Sequence, residues 1–365
     1  MRKNVLLLVL TCFLFISWKW QDLSFRLSTD SKKIHIKSEW VVDTFKQGAL
    51  RANLINNSSP LIQGNFVVQG NAIDGLKAYN KKTGKLIWSF NISSGVASPL
   101  AFHKGNIYFG GADGFFYSVQ LKTGLLNWKY FSASKNTSKP LIFDNTIYWR
   151  ADNHKVYALD LKGKILWSYS GSFSSGDFLV KGSSRPAVLR NNLYVALGQG
   201  DLVALNRKTG QLKWKISFPQ SITEDLNISA KCLFAPVLDS HLFCLNPSNG
   251  KTLWKLEGGS SVLQHEKADI YQVLKNYAYA FKNRKLLWKK QLKESYPFPP
   301  VFVKKYLIYA FYSRGSIDIL YSKNGKFIET YKFGRGLSAP ITVEGNDLYL
   351  FSVSAYLHKL RLNIQ

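Results

Sequence analysis

The sequence is short of acidic residues. It has 22 Asp and Glu against 49 Lys and Arg over 365 residues, which gives a formal net charge of +27. The positive electrostatic field of such a chain favours anionic surroundings such as acidic lipid head groups, envelope polymers or nucleic acid. The basic residues are spread along the chain, a distribution that is equally typical of a solvated basic surface. Because no RNP-like motif, zinc finger or basic helix occurs, no nucleic-acid partner is predicted.

Motifs that carry catalysis or bind cofactors are also missing. The six histidines are isolated, and the sequence contains neither a His-Glu-x-x-His zinc motif nor a Gly-x-Ser-x-Gly nucleophile elbow. Gly198-Gln-Gly200 lacks the third glycine of a dinucleotide-binding loop and lies between two predicted strands, which indicates a hairpin turn. We therefore predict a non-enzymatic protein with no catalytic residue, no cofactor site and no metal site.

The apolar run near the N-terminus is short. It covers Val5–Ile16 and follows Arg2 and Lys3. A membrane-spanning helix needs about 20 apolar residues, whereas a basic start followed by a shorter apolar stretch is typical of an export signal. Residues 1–20 are therefore predicted to be a signal peptide or a membrane anchor, and the protein is expected in the periplasm.

Two modes of membrane attachment stay open for this segment. Cys12 follows a sequence similar to a lipoprotein box, although Thr11 stands where a smaller residue is usual. Trp18 and Trp20 instead favour an uncleaved anchor, because tryptophan is enriched at membrane interfaces. The polar and basic residues 21–37 are predicted to form a linker.

What the sequence has in abundance is a repeat. Ala78 leads through Thr83-Gly84 to Trp88, which indicates the end of a strand, a tight turn and a new strand. The pattern returns with a mean spacing of about 41 residues, the length of a four-stranded propeller blade. Its last position, which we interpret as a structural docking position, is occupied by Trp40, Trp88, Trp128, Trp167, Trp214, Trp254, Trp288 and Glu329.

Eight such positions predict an all-β fold over residues 38–365, an eight-bladed β-propeller of four-stranded antiparallel blades. No strands precede Trp40, and no further Trp strand follows Leu348–Leu362. Pairing the N- and C-terminal strands completes the eighth blade and removes exposed sheet edges. The units of Trp288 and Glu329 depart from the Thr-Gly pattern, so their two blades are expected to pack less regularly.

Two of the three cysteines fall on neighbouring predicted strands of one unit. Cys232 and Cys244 would face each other across a hairpin, at a distance that a disulfide can bridge. An oxidising periplasm would permit that bond. The alternative is a pair of buried thiols, because Cys244 occupies a position held by alanine in other units.

The Ala-x-x-x-x-Thr-Gly-x-x-x-Trp pattern resembles the repeat of the pyrroloquinoline-quinone (PQQ) type. That resemblance implies a propeller in which each Trp docks between neighbouring blades. PQQ-dependent dehydrogenases share the repeat, but they are longer and carry a disulfide between neighbouring cysteines over the cofactor. This sequence has no adjacent cysteines, so a PQQ-dependent dehydrogenase is the weaker alternative.

The repeat, the length and the export signal together resemble the BamB family, periplasmic lipoproteins of the machinery that assembles outer-membrane β-barrels. In that family a loop of the form apolar-x-apolar-basic-Gly, running into a blade-opening proline, contacts periplasmic domains of the barrel-forming partner. The loop before Pro186 has this form. Its matching residues are Phe178, Val180, Lys181 and Gly182.

The family also uses a pair of acidic residues on the next loop, for which Glu224 and Asp225 are the candidates. The resemblance thus implies a membrane-anchored scaffold, monomeric within a complex, that binds the periplasmic domains of an assembly partner. Two other interpretations stay open. Phe178 and Val180 could form a short strand that covers a blade edge, and the basic loops could bind an anionic envelope polymer.

Overall fold

A computed structural model describes residues 34–45, 58–171, 184–258, 260–265, 269–274, 276–293, 298–311, 315–334 and 336–364. These residues form eight four-stranded antiparallel sheets, which we number as blades in chain order. The predicted eight-bladed β-propeller is confirmed. Residues 1–20, with Cys12, lie outside the described residues, and no helix among those described is long and apolar enough to cross a membrane.

The first four blades follow one another without a crossover. Blade 1 contains β2 (Leu61–Gln63), β3 (Phe66–Asn71), β4 (Gly75–Asn80) and β5 (Leu86–Asn91). Blade 2 contains β6 (Ala101–His103), β7 (Asn106–Gly110), β8 (Phe115–Gln120) and β9 (Leu126–Phe131). Blade 3 contains β10 (Leu141–Phe143), β11 (Thr146–Arg150), β12 (Lys155–Asp160) and β13 (Ile165–Ser170). Blade 4 contains β14 (Ala187–Leu189), β15 (Asn192–Ala196), β16 (Asp201–Asn206) and β17 (Leu212–Ser217).

The last four blades include the one that joins both ends of the chain. Blade 5 contains β18 (Asn227–Ile228), β19 (Leu233–Pro236), β20 (His241–Leu245) and β21 (Thr252–Glu257). Blade 6 contains β22 (Ser260–His265), β23 (Asp269–Leu274), β24 (Tyr277–Lys282) and β25 (Lys285–Gln291). Blade 7 contains β26 (Val301–Val303), β27 (Tyr306–Ala310), β28 (Ser316–Tyr321) and β29 (Phe327–Lys332). Blade 8 contains β30 (Thr342–Glu344), β31 (Asp347–Phe351), β32 (Tyr356–Ile364) and β1 (Ile34–Asp43).

The repeated Thr-Gly marks the turn between the third and fourth strands of a blade. In blade 1 the Asn80 side chain accepts hydrogen bonds from the backbone N–H groups of Lys82 and Thr83, and Gly84 N–H donates to Asn80 O at 2.8 Å. Gly84 has a φ of 70°, a conformation that glycine adopts without steric cost. Local sequence therefore determines this turn. A 3-10 turn at Gly198–Gly200 likewise connects β15 and β16, which confirms the predicted hairpin turn.

In six of the eight blades, a tryptophan on the fourth strand forms a hydrogen bond to the next blade. The indole N–H of Trp88 donates to Leu121 O of blade 2 at 2.9 Å. A Cβ atom on Gly124 would lie 2.6 Å from the Trp88 ring, so the turn glycine makes room for the indole. The same hydrogen bond joins Trp40 to Lys81 O, Trp128 to Leu161 O, Trp167 to Arg207 O, Trp214 to Pro247 O and Trp288 to Ser322 O.

Blades 6 and 7 were expected to pack less regularly. The sheet of blade 7 is regular, whereas blade 6 has an additional register shift between Ser260 and Leu263 in its first strand pair. Both are four-stranded, and both have the bulge that precedes the Trp position in the other blades. The turn between the third and fourth strands of blade 6 also differs: Asn283 and Arg284 form a two-residue turn with φ of 48° and 68°. Opposite this shorter turn, Trp254 packs edge-on against Phe234, with ring centroids 5.8 Å apart.

The topology of blade 8 explains why Glu329, and not a tryptophan, occupies the last of the eight Trp positions. The Trp position of each blade faces the turn between the third and fourth strands of the next blade. In blade 8 those strands are β32 and β1, which come from opposite ends of the chain and are not joined by a turn. An indole at position 329 would have no turn carbonyl to bind, so the eighth position does not require tryptophan.

The two chain ends close the ring. β1 pairs antiparallel with β32 from Ile34 opposite Ile364 to Asp43 opposite Tyr356. The side chain of Ile34 is buried in the core between blades 7 and 8. The strand therefore starts within the range 21–37 that was predicted to be a linker, and the propeller begins four residues before position 38.

A charged cluster supports the closing blade. Asp347 Oδ2 lies 3.0 Å from Lys359 Nζ, and Asp347 Oδ1 accepts a hydrogen bond of 2.6 Å from Arg361 Nε. Burial raises the pKa of the Asp347 carboxyl, but the hydrogen bonds and charges of Arg361 and Lys359 outweigh burial and hold that pKa below its usual value. The carboxylate thus stays ionised between its two cations.

Cys232 and Cys244 lie together in blade 5, with Cα atoms 5.4 Å apart and their sulfur atoms joined. This separation lies within the usual disulfide range.

We predict that reduction of the denatured wild-type protein releases two thiols and that reduction of the Cys232→Ser variant releases none. Reduction should also lower the free energy of unfolding by about 2–3 kcal/mol. Two reactive thiols in the unreduced protein, beyond Cys12, would show that the pair is not bridged.

Candidate functional site

The propeller has two chemically different ends. In each antiparallel blade, the turn between the first two strands and the turn between the last two lie at one end, which we call the turn face. The connections from one blade to the next and the turns between second and third strands lie at the other end, which we call the loop face. Loops carried by a rigid scaffold are common places for binding sites.

The predicted partner-binding loop belongs to the loop face, because it connects β13 to β14. Its described ends are residue 171 and residues 184–186. Phe178, Val180, Lys181 and Gly182 lie outside the described residues, so their roles stay predictions.

Asp225 lies at the base of the neighbouring loop, just before β18. Its carboxylate accepts a hydrogen bond of 3.0 Å from the backbone N–H of Arg185. The same carboxylate lies 3.6 Å from Arg185 Nε and 3.9 Å from Lys139 Nζ. Glu224, the preceding residue, is half-buried. The structure thus connects Asp225 directly to the end of the predicted partner-binding loop.

Lys139, Arg185 and Asp225 occupy equivalent positions in blades 3, 4 and 5. Each lies two residues before the first strand of its blade, at the inner edge of the loop face. One carboxylate therefore lies between two cations at the mouth of the central channel. All three side chains are partly exposed, so these ion pairs add little stability, and their charges remain accessible to a partner.

A buried polar cluster supports this part of the loop face. Thr137 Oγ1 donates to Asp152 Oδ1 at 2.5 Å, and the backbone N–H of Gly198 in blade 4 donates to His154 Nδ1 at 3.2 Å. Burial lowers the pKa of Arg150, and the nearby charge of Asp152 opposes that shift. Of these contacts, the hydrogen bond from Gly198 to His154 joins blades 3 and 4.

Sequence reasoning missed Lys139 and Arg185. A signal was present, because each directly precedes a proline near the opening of its blade, Pro140 or Pro186. The sequence alone does not indicate that Asp225 lies beside both of these residues. Among the described residues, no group of three or more His, Cys, Asp or Glu side chains converges as a metal site. The geometry provides charged and polar contacts for a macromolecule.

Comparisons with known proteins agree with the repeat. The sequence model of a family described as outer membrane protein assembly factor BamB matches residues 72–239 and 179–341. The outer membrane protein assembly factor BamB of Burkholderia pseudomallei is 25% identical over 335 residues, which cover 83% of this chain and 84% of that protein.

A second relative is named as an enzyme rather than as an assembly factor. Tetrathionate hydrolase of Acidithiobacillus ferrooxidans is 27% identical over 181 residues, which cover 41% of this chain but only 35% of that enzyme. Among solved structures, BamB from Moraxella catarrhalis has a TM-score of 0.74 and 16% identity, covering 90% of this chain and 100% of that chain. At this identity the structural likeness shows the propeller fold alone.

Proposed function

Because this chain belongs to the BamB family of outer-membrane protein assembly factors, we propose that it is a non-enzymatic periplasmic scaffold for the assembly of outer-membrane β-barrels. It binds periplasmic domains of the barrel-assembly partner and acts as a monomer within that complex. Its N-terminal segment attaches it to the membrane, either as a lipoprotein through Cys12 or through an uncleaved anchor.

The observation that carries this proposal is the extent of the family match. Two overlapping matches, to residues 72–239 and 179–341, together span the chain from blade 1 to the start of blade 8. A match confined to the Trp turns would support only the repeat. Here it includes the connection from β13 to β14, which carries the motif Phe178-x-Val180-Lys181-Gly182.

The charges at the base of that loop support the same location. Asp225 holds the backbone of Arg185, so it fixes the point at which the loop enters blade 4. Arg185 and Lys139 leave a local excess of positive charge where that loop enters blade 4. An aromatic anchor next to cationic side chains is suited to a partner groove with an apolar pocket and acidic borders.

The proposed site is tested by Phe178→Asp and Lys181→Glu. Each change is expected to reduce co-purification with the barrel-assembly partner from solubilised envelopes at least about tenfold, because truncated interface anchors commonly cost about 2 kcal/mol or more. Lys255→Glu is the matched control, since Lys255 is exposed on β21 away from this loop. Thermal unfolding monitored by circular dichroism should be unchanged in all three variants. Undiminished co-purification of both loop variants would contradict the site.

A further inference from the structure

The turn face carries basic side chains in most of its described turns. Lysine occupies the same turn position in blades 1, 2, 4 and 7, as Lys82, Lys122, Lys208 and Lys323, and all four are exposed. The turns between first and second strands add exposed cations such as Lys104. Positive charge therefore surrounds the ring at this end.

Asp160 at one turn of this face accepts hydrogen bonds from the backbone N–H groups of Lys162 and Lys164, and two other acidic residues there pair with basic side chains. Asp144 pairs with Arg207 at 3.0 Å, and Glu344 pairs with Lys81 at 2.8 Å. On the loop face, carboxylates occur in more of the turns, including Asp113, Asp239 and Asp74, of which Asp74 pairs with Lys77 at 2.8 Å. The described part of the propeller is thus electrically polarised along its axis, and the turn face is the positive end.

Exposed apolar side chains accompany these cations. The fourth strand of most blades begins with a pair of large apolar residues close to the basic turn. In blade 2, Leu125 is 61% exposed and Leu126 is 44% exposed. Leu86 and Ile87 in blade 1 repeat this arrangement. Apolar side chains interleaved with lysine are suited to the boundary between lipid head groups and acyl chains, where lysine stems extend their ammonium groups toward phosphate.

The chain enters the propeller from the same face. β1 is the fourth strand of blade 8, so its first residue, Ile34, lies at the turn-face end and pairs with Ile364. The N-terminal segment predicted to attach to a membrane therefore joins the ring where the cations and apolar pairs are found.

We propose that the turn face is a docking surface for a bilayer that carries anionic phospholipid head groups. The lysines contact lipid phosphates, and the apolar pairs enter the interfacial layer. This inference concerns the face opposite the proposed partner site and rests on the proposed function only for the membrane attachment of the N-terminal segment.

Vesicle binding by the full-length chain tests the proposal. Lys82→Glu, Lys122→Glu, Lys208→Glu and Lys323→Glu are combined in one variant. The charge-matched control combines Lys135→Glu, Lys155→Glu, Lys255→Glu and Lys332→Glu, whose exposed lysines lie away from the turns of this face. Co-sedimentation is measured with phosphatidylethanolamine vesicles that contain phosphatidylglycerol. Affinity should fall at least about tenfold in the turn variant and less than about twofold in the control, because lysines adjacent to the bilayer contribute most.

Both variants retain the same N-terminal segment, so the difference between them reports on the turn face. Equal losses in the two variants would mean that only net charge matters and would overturn the proposal. A second variant, Leu125→Ser with Leu126→Ser, should weaken vesicle binding that survives in high salt but leave binding to soluble dextran sulfate unchanged. Lysine-dependent binding to dextran sulfate without binding to vesicles would identify a polyanion surface instead and would also overturn it.

Discussion

Replacing Trp88 with alanine is expected to lower the free energy of unfolding by about 3–5 kcal/mol. The indole is 9% exposed and fills the space between blades 1 and 2. Its loss creates a cavity beside Gly124 and removes the hydrogen bond to Leu121 O. Urea denaturation followed by circular dichroism measures the effect.

Two further alanine substitutions test whether the loss of stability comes from docking between blades. Ile87→Ala, on the same strand at a side chain that is 45% exposed, should cost less than about 0.5 kcal/mol. Trp254→Ala should cost less than Trp88→Ala, because Trp254 is partly exposed and faces the shorter Asn283-Arg284 turn. A cost for Ile87→Ala equal to that for Trp88→Ala would contradict this account of blade docking.

The second large effect is expected at the closure of the ring. Removing residues 1–43 should lower Tm by about 7 °C or cause aggregation, whereas removing residues 1–33 should leave Tm nearly unchanged. The longer deletion removes β1, which buries Ile34 between blades 7 and 8 and places Trp40 and Val42 at the contact between blades 8 and 1. Ile34 is buried and contributes roughly 1.5–3 kcal/mol, and the partly buried Trp40 and Val42 bring the loss to about 5 kcal/mol.

The two deletions differ by ten residues, so they separate the closing strand from the segment before it. The longer one also leaves the edge of β32 unpaired, and an exposed strand edge promotes association between chains. Differential scanning calorimetry and size-exclusion chromatography report the two consequences. Equal Tm values for both deletion variants would mean that β1 does not hold the ring together.

The correctly predicted part of the fold depends on short-range signals. The Asn80-to-Gly84 turn is determined by side-chain hydrogen bonds and by a positive φ, all within five residues. Because this pattern recurs once in almost every blade, the number and type of blades could be read from it. The start of β1 at Ile34 could not be predicted from the sequence, because that strand is defined by its pairing with residues more than 300 positions away.

The candidate site was predicted less completely for the same reason. Glu224 and Asp225 were chosen from a resemblance, whereas the contacts of Asp225 with Arg185 and Lys139 depend on how three blades lie side by side. Lys139 is 86 positions from Asp225 in the sequence, and no local pattern links them.

The sequence alone determined the all-β class, the eight blades, the Trp docking positions and the excess of positive charge, because each follows from residue types at short, regular spacing. Only the tertiary structure decided where that charge lies, which residues meet Asp225, and why Glu329 replaces tryptophan. Those features arise when the chain closes into a ring: closure sends turns of one kind to one end, brings distant residues together, and leaves the final blade without the turn that an indole would bind.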